Sequence, residues 1–443
     1  MFLSLLMLLG TASAAAPVFP YAYQEVTLRN GLTLVMVPRP GTGLVAYNTL
    51  VRAGARNEVE PGRSGFAHFF EHMMFRGTPS VSAEQYAQVI RQHGASNNAY
   101  TDDDLTLFTT AGRAEGLPDF IRLEADRFQN LRYARDGFET EAAAVLGEYL
   151  KEKSSPGPAL WEALRRTAFT RHSYRHPVIG FEDDIRAMPR AYEYGKSFFR
   201  NYYTPDNCVV IIVGDFDPAA ARALVEREYG PWKGRAVLPR TEREPPQHEE
   251  RRVLVQWAQP ARPRALWAWH VPAATPATLA ESATAGVVAD LVFGPTSPLY
   301  QDLVLHRQWC NNLYALYQEH RDPNLLVLSL LLRDAARADD VEAAVEAELR
   351  RVTEEGVPEA RLQAVKSHAR YALLASLEKE EVIADTLANE IHLTGKLRSM
   401  EERFAARAAV SVEDVRSFVG RYLVTQNRTV ATLQPPAAAA EEP

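Results

Sequence analysis

Three side chains in the segment Gly65-Phe66-Ala67-His68-Phe69-Phe70-Glu71-His72-Met73-Met74-Phe75 have the types and spacing to carry chemistry. On a helix, positions i and i+4 share a face, so His68 and His72 can aim their ring nitrogens at one point. Two neutral imidazoles so placed chelate Zn²⁺ at about 2.0–2.1 Å, and Glu71 overlooks the same point from i+3. A carboxylate there can take a proton from water activated by the metal. The order H-x-x-E-H inverts the more familiar H-E-x-x-H. In a random chain of this composition the pattern would occur roughly 0.03 times, counting Asp with Glu, so by itself it is suggestive. The competing reading is an amphipathic helix whose histidines are structural. It loses ground because Phe and Met flank the motif, and two histidines and a carboxylate are costly to bury without a shared partner.

Zinc held by two histidines needs a third protein ligand, with a fourth place left for water. A helix predicted over 137–152 offers Glu139, Glu141, Glu148 and Glu152. Glu141 and Glu148 are seven apart, two turns along one face, and spacing does not choose among the four. The remaining nine histidines show no comparable ligand spacing.

The elements that must position these groups follow from periodicity. Residues 25–37 alternate around Asn30-Gly31 and predict a β-hairpin. A third strand is expected at 44–53, helices at 62–75 and 82–93, and strands near 95–101 and 104–110. Helical periodicity then fills 114–202, and a buried strand, Val209–Val213, precedes a short helix from Pro218. Residues 232–250 hold three prolines and no apolar period. Beyond them the order recurs: strands near 251–258 and 263–270, helices at 277–292 and 298–306, strands near 311–319 and 325–332, then helices to about 422. Phe199-x-x-x-Tyr203 with Asn207 before Val209–Val213 is echoed by Phe418-x-x-x-Tyr422 with Asn427 before Thr429–Leu433. This self-similarity implies a duplicated α+β domain. The expected organisation is a leader at 1–16, a first domain at 17–234, a linker at 235–250, a homologous domain at 251–434 and a tail at 435–443.

The 443 residues are 46% hydrophobic and 24% charged, an ordinary globular composition that excludes a disordered chain or a small disulfide scaffold. The net charge of −7 leaves no dominant basic surface, which argues against nucleic acid as a partner. Residues 2–9 are apolar and lead into Gly10 and a small-residue run through Ala16, with cleavage sites after Ala14 or Ala16. That pattern reads as an export leader although no basic residue precedes it, and places the mature protein in the periplasm. The run is too short to span a bilayer. Cys208 and Cys310 are read as buried free thiols rather than a bridge.

The stretch G-F-A-H-F-F-E-H-M-M-F-R-G-T at 65–78, with V-L-G-E at 145–148, resembles the inverzincin peptidases of the pitrilysin/insulinase (M16) type, most closely the short bacterial, processing-peptidase-like members. The resemblance covers nearly all of residues 21–434, including N-N-A-Y-T at 97–101, H-P-V-I-G at 176–180 and Y-Y-T-P-D-N at 202–207. It implies the LuxS/processing-peptidase-like metallohydrolase fold: two homologous domains, each a mixed β-sheet packed against helices. It implies Glu148 as the third zinc ligand, Glu71 as the general base and Glu141 as the acid behind the ligands. Asn98, Ala99 and Thr101 match the segment that pairs with substrate backbone, so a peptide would bind by β-augmentation. Family members that act alone also supply an Arg and, seven residues on, a Tyr from the second half. In the ungapped L-Y-Q-D-L register those positions are Val304 and Asn311; a three-residue slip would restore the pair as Arg307 and Tyr314. Loss of the pair implies a partner that supplies it, either a homologous subunit or a second copy, closing around a peptide-sized chamber. The expected function is a zinc endopeptidase that is the catalytic subunit of a dimer. The alternative is a non-catalytic peptide-binding or structural partner of the same fold, and the intact H-x-x-E-H argues against it.

Overall fold

The computed structural model describes residues 19–397 and 399–434. The leader expected at 1–16 and the tail at 435–443 lie outside the described residues. The first half supplies strands β1 (Gln24–Thr27), β2 (Thr33–Pro38), β3 (Leu44–Val51), β4 (Ser96–Thr101), β5 (Thr106–Arg113) and β6 (Cys208–Gly214). They form a sheet in the order β1-β2-β6-β3-β5-β4. The second half supplies β7 (Arg251–Gln256), β8 (Arg264–Val271), β9 (Cys310–Leu316), β10 (Asn324–Leu332) and β11 (Arg428–Gln434), ordered β7-β11-β8-β10-β9. In each sheet a single pair is parallel, β2 with β6 and β7 with β11, and every other neighbour is antiparallel. Apart from β1, the second sheet thus retraces the first, the duplication that the Phe199 and Phe418 segments announced. The predicted hairpin is there: Gln24 faces Met36, and Gly31 takes the φ of +98° that the turn requires.

Helices α1 (Phe66–Met73), α2 (Ala83–Gln92), α3 (Leu117–Asn130), α4 (Arg135–Lys153), α5 (Pro156–Ala168), α6 (Glu182–Ala187), α7 (Tyr192–Tyr202) and α8 (Pro218–Tyr229) belong to the first half. The second half contains α9 (Leu279–Phe293), α10 (Pro298–Tyr300), α11 (Ala338–Glu355), α12 (Glu359–Ser376), α13 (Glu380–Thr394), α14 (Ser399–Ala409) and α15 (Val412–Tyr422). The long helical stretch of 114–202 is therefore five helices, one broken off at Pro156, which opens α5. The short helix at 298–306 is α10 running into a π-helical turn over Gln301–His306.

The central strands, such as Cys-Val-Val-Ile-Ile-Val-Gly in β6, are buried throughout because both faces of each sheet are covered. One face of the first sheet packs Leu34, Met36, Tyr47, Phe108 and Ile212 against Phe66, Phe69, Phe70 and Phe128. Its other face, with Val35, Val37, Leu50, Leu107 and Ile211, is covered by Ile383, Leu387 and Ile391 of α13, from the far end of the chain. The second sheet is treated reciprocally: Leu266, Ala268, Val327 and Leu433 pack on Leu160, Leu164 and Ala168 of α5. The halves are thus two sheets that lend each other a helix.

A polar seam also joins them. The β9–β10 turn inserts Asp322 against Arg56 (2.5 Å) and His172 (3.0 Å), while the Arg321 N–H donates to Asp104 (2.9 Å). Residues 231–250 contain no helix or strand. Glu244 within them accepts from the backbone N–H groups of Thr170, Arg171 and His172, which straps the segment to the first half. Cys208 and Cys310 are free and buried in different sheets. No helix among the described residues is long and apolar enough to cross a membrane.

Candidate metal centre

Helix α1 is short and apolar on one side. Phe66, Phe69, Phe70 and Met73, at i, i+3, i+4 and i+7, are fully buried. Phe69 meets Phe138 of α4 at 4.6 Å between ring centroids, and Phe70 stacks on Phe198 of α7 at 5.6 Å. These contacts fix the helix roll and turn His68, Glu71 and His72 toward α4 and β4. One donor atom from each of His68, His72 and Glu148 lies within 4.8 Å of the others. Glu148 Oε2 is 3.3 Å from His72 Nε2 and 3.8 Å from His68 Nε2. Ligands of a tetrahedral zinc at its usual bond lengths stand about 3.4 Å apart, so this donor set has the size and chemistry for the ion. Of the four carboxylates that spacing left open, Glu139 and Glu152 are exposed on α4, Glu148 joins the histidines, and Glu141 sits one layer behind.

Burial, then the neighbouring charge of His72, drives the His68 pKa down to about 3, so its ring is neutral as a metal requires. Its Nδ1 is buried without a hydrogen-bond partner among the described residues. His72 is held differently: its Nδ1 lies 2.9 Å from Glu141 Oε1, a hydrogen bond that raises its pKa against the effect of burial. Burial would lift Glu141, but the hydrogen bonds to His72 and Arg76 hold it below the usual carboxylate range. A carboxylate behind one histidine of the donor set fixes its tautomer and aim. Arg76 is a participant that the motif did not signal; it lies in the turn just past the end of α1 and reaches Glu141 from there.

Glu71 is half-buried, and burial raises its pKa. The Thr101 hydroxyl donates to Glu71 Oε2 at 2.7 Å. Thr101 and Ala99 face α1, and Asn98 is exposed, all on β4. Among the described residues β4 pairs only with β5 and ends the sheet, so its other edge is open there, beside the three-residue donor cluster. The side-chain contact of Thr101 was not foreseen, because an exposed-edge role says nothing of where a hydroxyl points.

In the second half Val304 packs against the second core and the Asn311 amide reaches the Leu332 carbonyl at 3.5 Å. Arg307 is paired with Asp302 at 2.9 Å and stacks over Trp309 at 4.7 Å, whereas Tyr314 is exposed on β9, the open edge of the second sheet.

Residues 35–181 match the family described as Insulinase (Peptidase family M16), and residues 192–368 match the family described as Peptidase M16 inactive domain, together well over half the chain. The zinc protease PqqE of Helicobacter pylori is 30% identical in a match spanning 57% of this chain and 57% of that protein. An uncharacterized zinc protease of Mycobacterium tuberculosis, Rv2782c, is 28% identical across 96% of this chain and 95% of its own. Among solved structures, a protease from Helicobacter pylori superposes with a TM-score of 0.87 at 24% identity, covering 94% of this chain and 100% of that one. The periplasmic protease PqqL from Escherichia coli gives 0.77 at 17% identity, with 94% of this chain matching 48% of that one. At such identities the likeness of structures speaks for the fold.

Proposed function

Because the chain belongs to the M16 (insulinase) family of peptidases, we propose that it is a zinc-dependent endopeptidase acting on peptides or unfolded segments. The observation that carries this reading is the convergence of His68, His72 and Glu148 within 4.8 Å, with Glu71 on the same helix face. The relatives' names, zinc proteases, agree with it. Zinc held by those three residues would act as a Lewis acid on a carbonyl oxygen and as an activator of water. The protein's own groups do the rest. Glu71 accepts the proton of the attacking water and returns it to the leaving amine. Thr101 holds the Glu71 oxygen that it touches, and Glu141 fixes the His72 ring. The open edge of β4, through Asn98, Ala99 and Thr101, offers main-chain groups to an extended peptide, which suits substrates of varied sequence.

A cation and a phenol that would steady the substrate carbonyl are not supplied by Val304 and Asn311. Arg307 is engaged with Asp302 and Trp309. The proposed assembly is therefore a dimer, with a homologous subunit or a second copy providing the Arg/Tyr pair and closing a chamber. The apolar leader supports export to the periplasm. The test is cleavage of a quenched peptide with and without chelator: no cleavage by zinc-loaded protein, in the presence of any copurifying partner, removes the reading.

A further inference from the structure

The motif H-P-V-I-G at 176–180 takes no part in the chemistry above, yet it lies against the start of the metal helix. α1 has eight residues, about 12 Å of helix. Its N-cap, Gly65, has no side chain with which to satisfy the first-turn N–H groups. The acceptor comes from elsewhere: Gly65 N–H donates to Glu58 Oε2 at 2.7 Å and Ala67 N–H to Glu58 Oε1 at 2.6 Å. Glu58 is 3% exposed. Behind it stands His176, 4% exposed, with Nε2 at 3.6 Å from Glu58 Oε2. His176 Nδ1 lies 3.0 Å from the Pro177 carbonyl, which can only accept, so Nδ1 carries the ring proton. That leaves Nε2 a bare acceptor, buried and without a hydrogen-bond partner among the described residues, facing a carboxylate oxygen.

The same loop presses on the helix start by backbone. A Cβ on Gly65 would meet the Ile179 carbonyl at 2.4 Å, and one on Gly180 would meet Gly65 N at 2.9 Å. Ser64 Oγ accepts from Phe181 N–H at 2.9 Å and donates to Asp184 at 2.5 Å.

We infer that Glu58 and His176 are positioning residues for the zinc site: Glu58 anchors the first turn of α1 and His176 backs the carboxylate from behind, which together set where His68 and His72 point. Burial pushes Glu58 up to about 8 and His176 down to about 4, and both directions favour a neutral pair with the proton on Glu58. His68 follows Ala67 directly, so a first turn that loses its anchor moves a ligand within one residue. The inference rests on the zinc reading of the three donors and adds a grip on the helix that carries two of them.

The test is zinc affinity by competition with a chromophoric chelator, together with the visible spectrum of the cobalt-substituted protein. Glu58→Gln keeps one acceptor and a donor for His176 but puts an amide where Gly65 N–H needs an oxygen. The expected result is zinc bound 10- to 100-fold more weakly with an altered cobalt spectrum. His176→Gln leaves the Glu58 cap in place and is expected to weaken zinc about tenfold, so a poorly folding Glu58 variant does not end the experiment. Tyr202→Phe removes a hydroxyl bound to the Asn57 carbonyl in the same loop and should leave zinc binding unchanged. Wild-type affinity and spectrum in both folded variants overturn the inference, as does equal weakening in Tyr202→Phe. A wild-type protein that holds no zinc overturns the functional reading and this inference with it.

Discussion

Replacing Thr101 with Val isolates one hydroxyl. The two side chains are close in shape, β4 keeps its backbone, and no ligand atom loses a partner. What disappears is the 2.7 Å hydrogen bond to Glu71 Oε2, together with a long 3.4 Å contact to the Thr106 hydroxyl. A hydrogen bond to a charged group contributes about 1.5–3 kcal/mol. If all of it serves to hold the base in line, the loss is about 10- to 150-fold in kcat, at 1.36 kcal/mol per tenfold. KM should move little, because the edge that meets the substrate is main chain, and Thr101→Ser should restore most of the rate. The assay is steady-state cleavage of a quenched peptide alongside zinc content by atomic absorption. A Val variant that turns over at the wild-type rate with full zinc refutes the argument. So does one that loses zinc in proportion to activity, since the hydroxyl would then be serving the ligands.

Glu71→Gln should keep zinc and abolish turnover while His72→Ala loses both; equal zinc loss in the two contradicts the separation of roles. Leu387→Ala, in the helix lent to the first sheet, should cost about 2–5 kcal/mol by urea unfolding, the usual range for a fully buried Leu. Burial would raise Asp322, but hydrogen bonds from His172 and Arg56 hold it down to about 2. A depressed carboxylate stabilises the fold above its unfolded pKa near 3.9 and loses that contribution as pH falls toward 2. Urea midpoints at pH 7 and pH 3 should therefore differ less in Asp322→Asn than in the wild type. The mass of the purified active species should be that of a dimer; a fully active monomer would end the proposal of a partner-supplied Arg/Tyr pair.

Much of the architecture could be read from periodicity because the central strands are buried on both faces and the turn at Asn30-Gly31 is sharply marked. The duplicated endings at Tyr203 and Tyr422 mark the equivalent interior strands β6 and β11, one in each sheet. At the centre, the i, i+4 spacing placed His68 and His72 together. The choice of Glu148 among Glu139, Glu141, Glu148 and Glu152 needed the family pattern, since the seven-residue spacing of Glu141 and Glu148 fixes a face and not a depth. Invisible to spacing were the contacts made across long separations. Thr101 reaches Glu71 from another element, Glu58 caps α1 from a loop, and α5 and α13 each complete the other half's core. Nothing in a helical period says which sheet a helix will cover, so the boundary expected at 235–250 separates strands but not cores.

That loan of helices bears on biogenesis. The strands from β1 to β6 can assemble once Gly214 has been made, yet one apolar face of their sheet stays bare until synthesis has passed Thr394. The nascent protein therefore cannot finish one half and then the other; it matures late and all at once. A cut within 235–250 should leave both pieces associated, and the pieces made separately should be insoluble alone yet reconstitute when co-expressed.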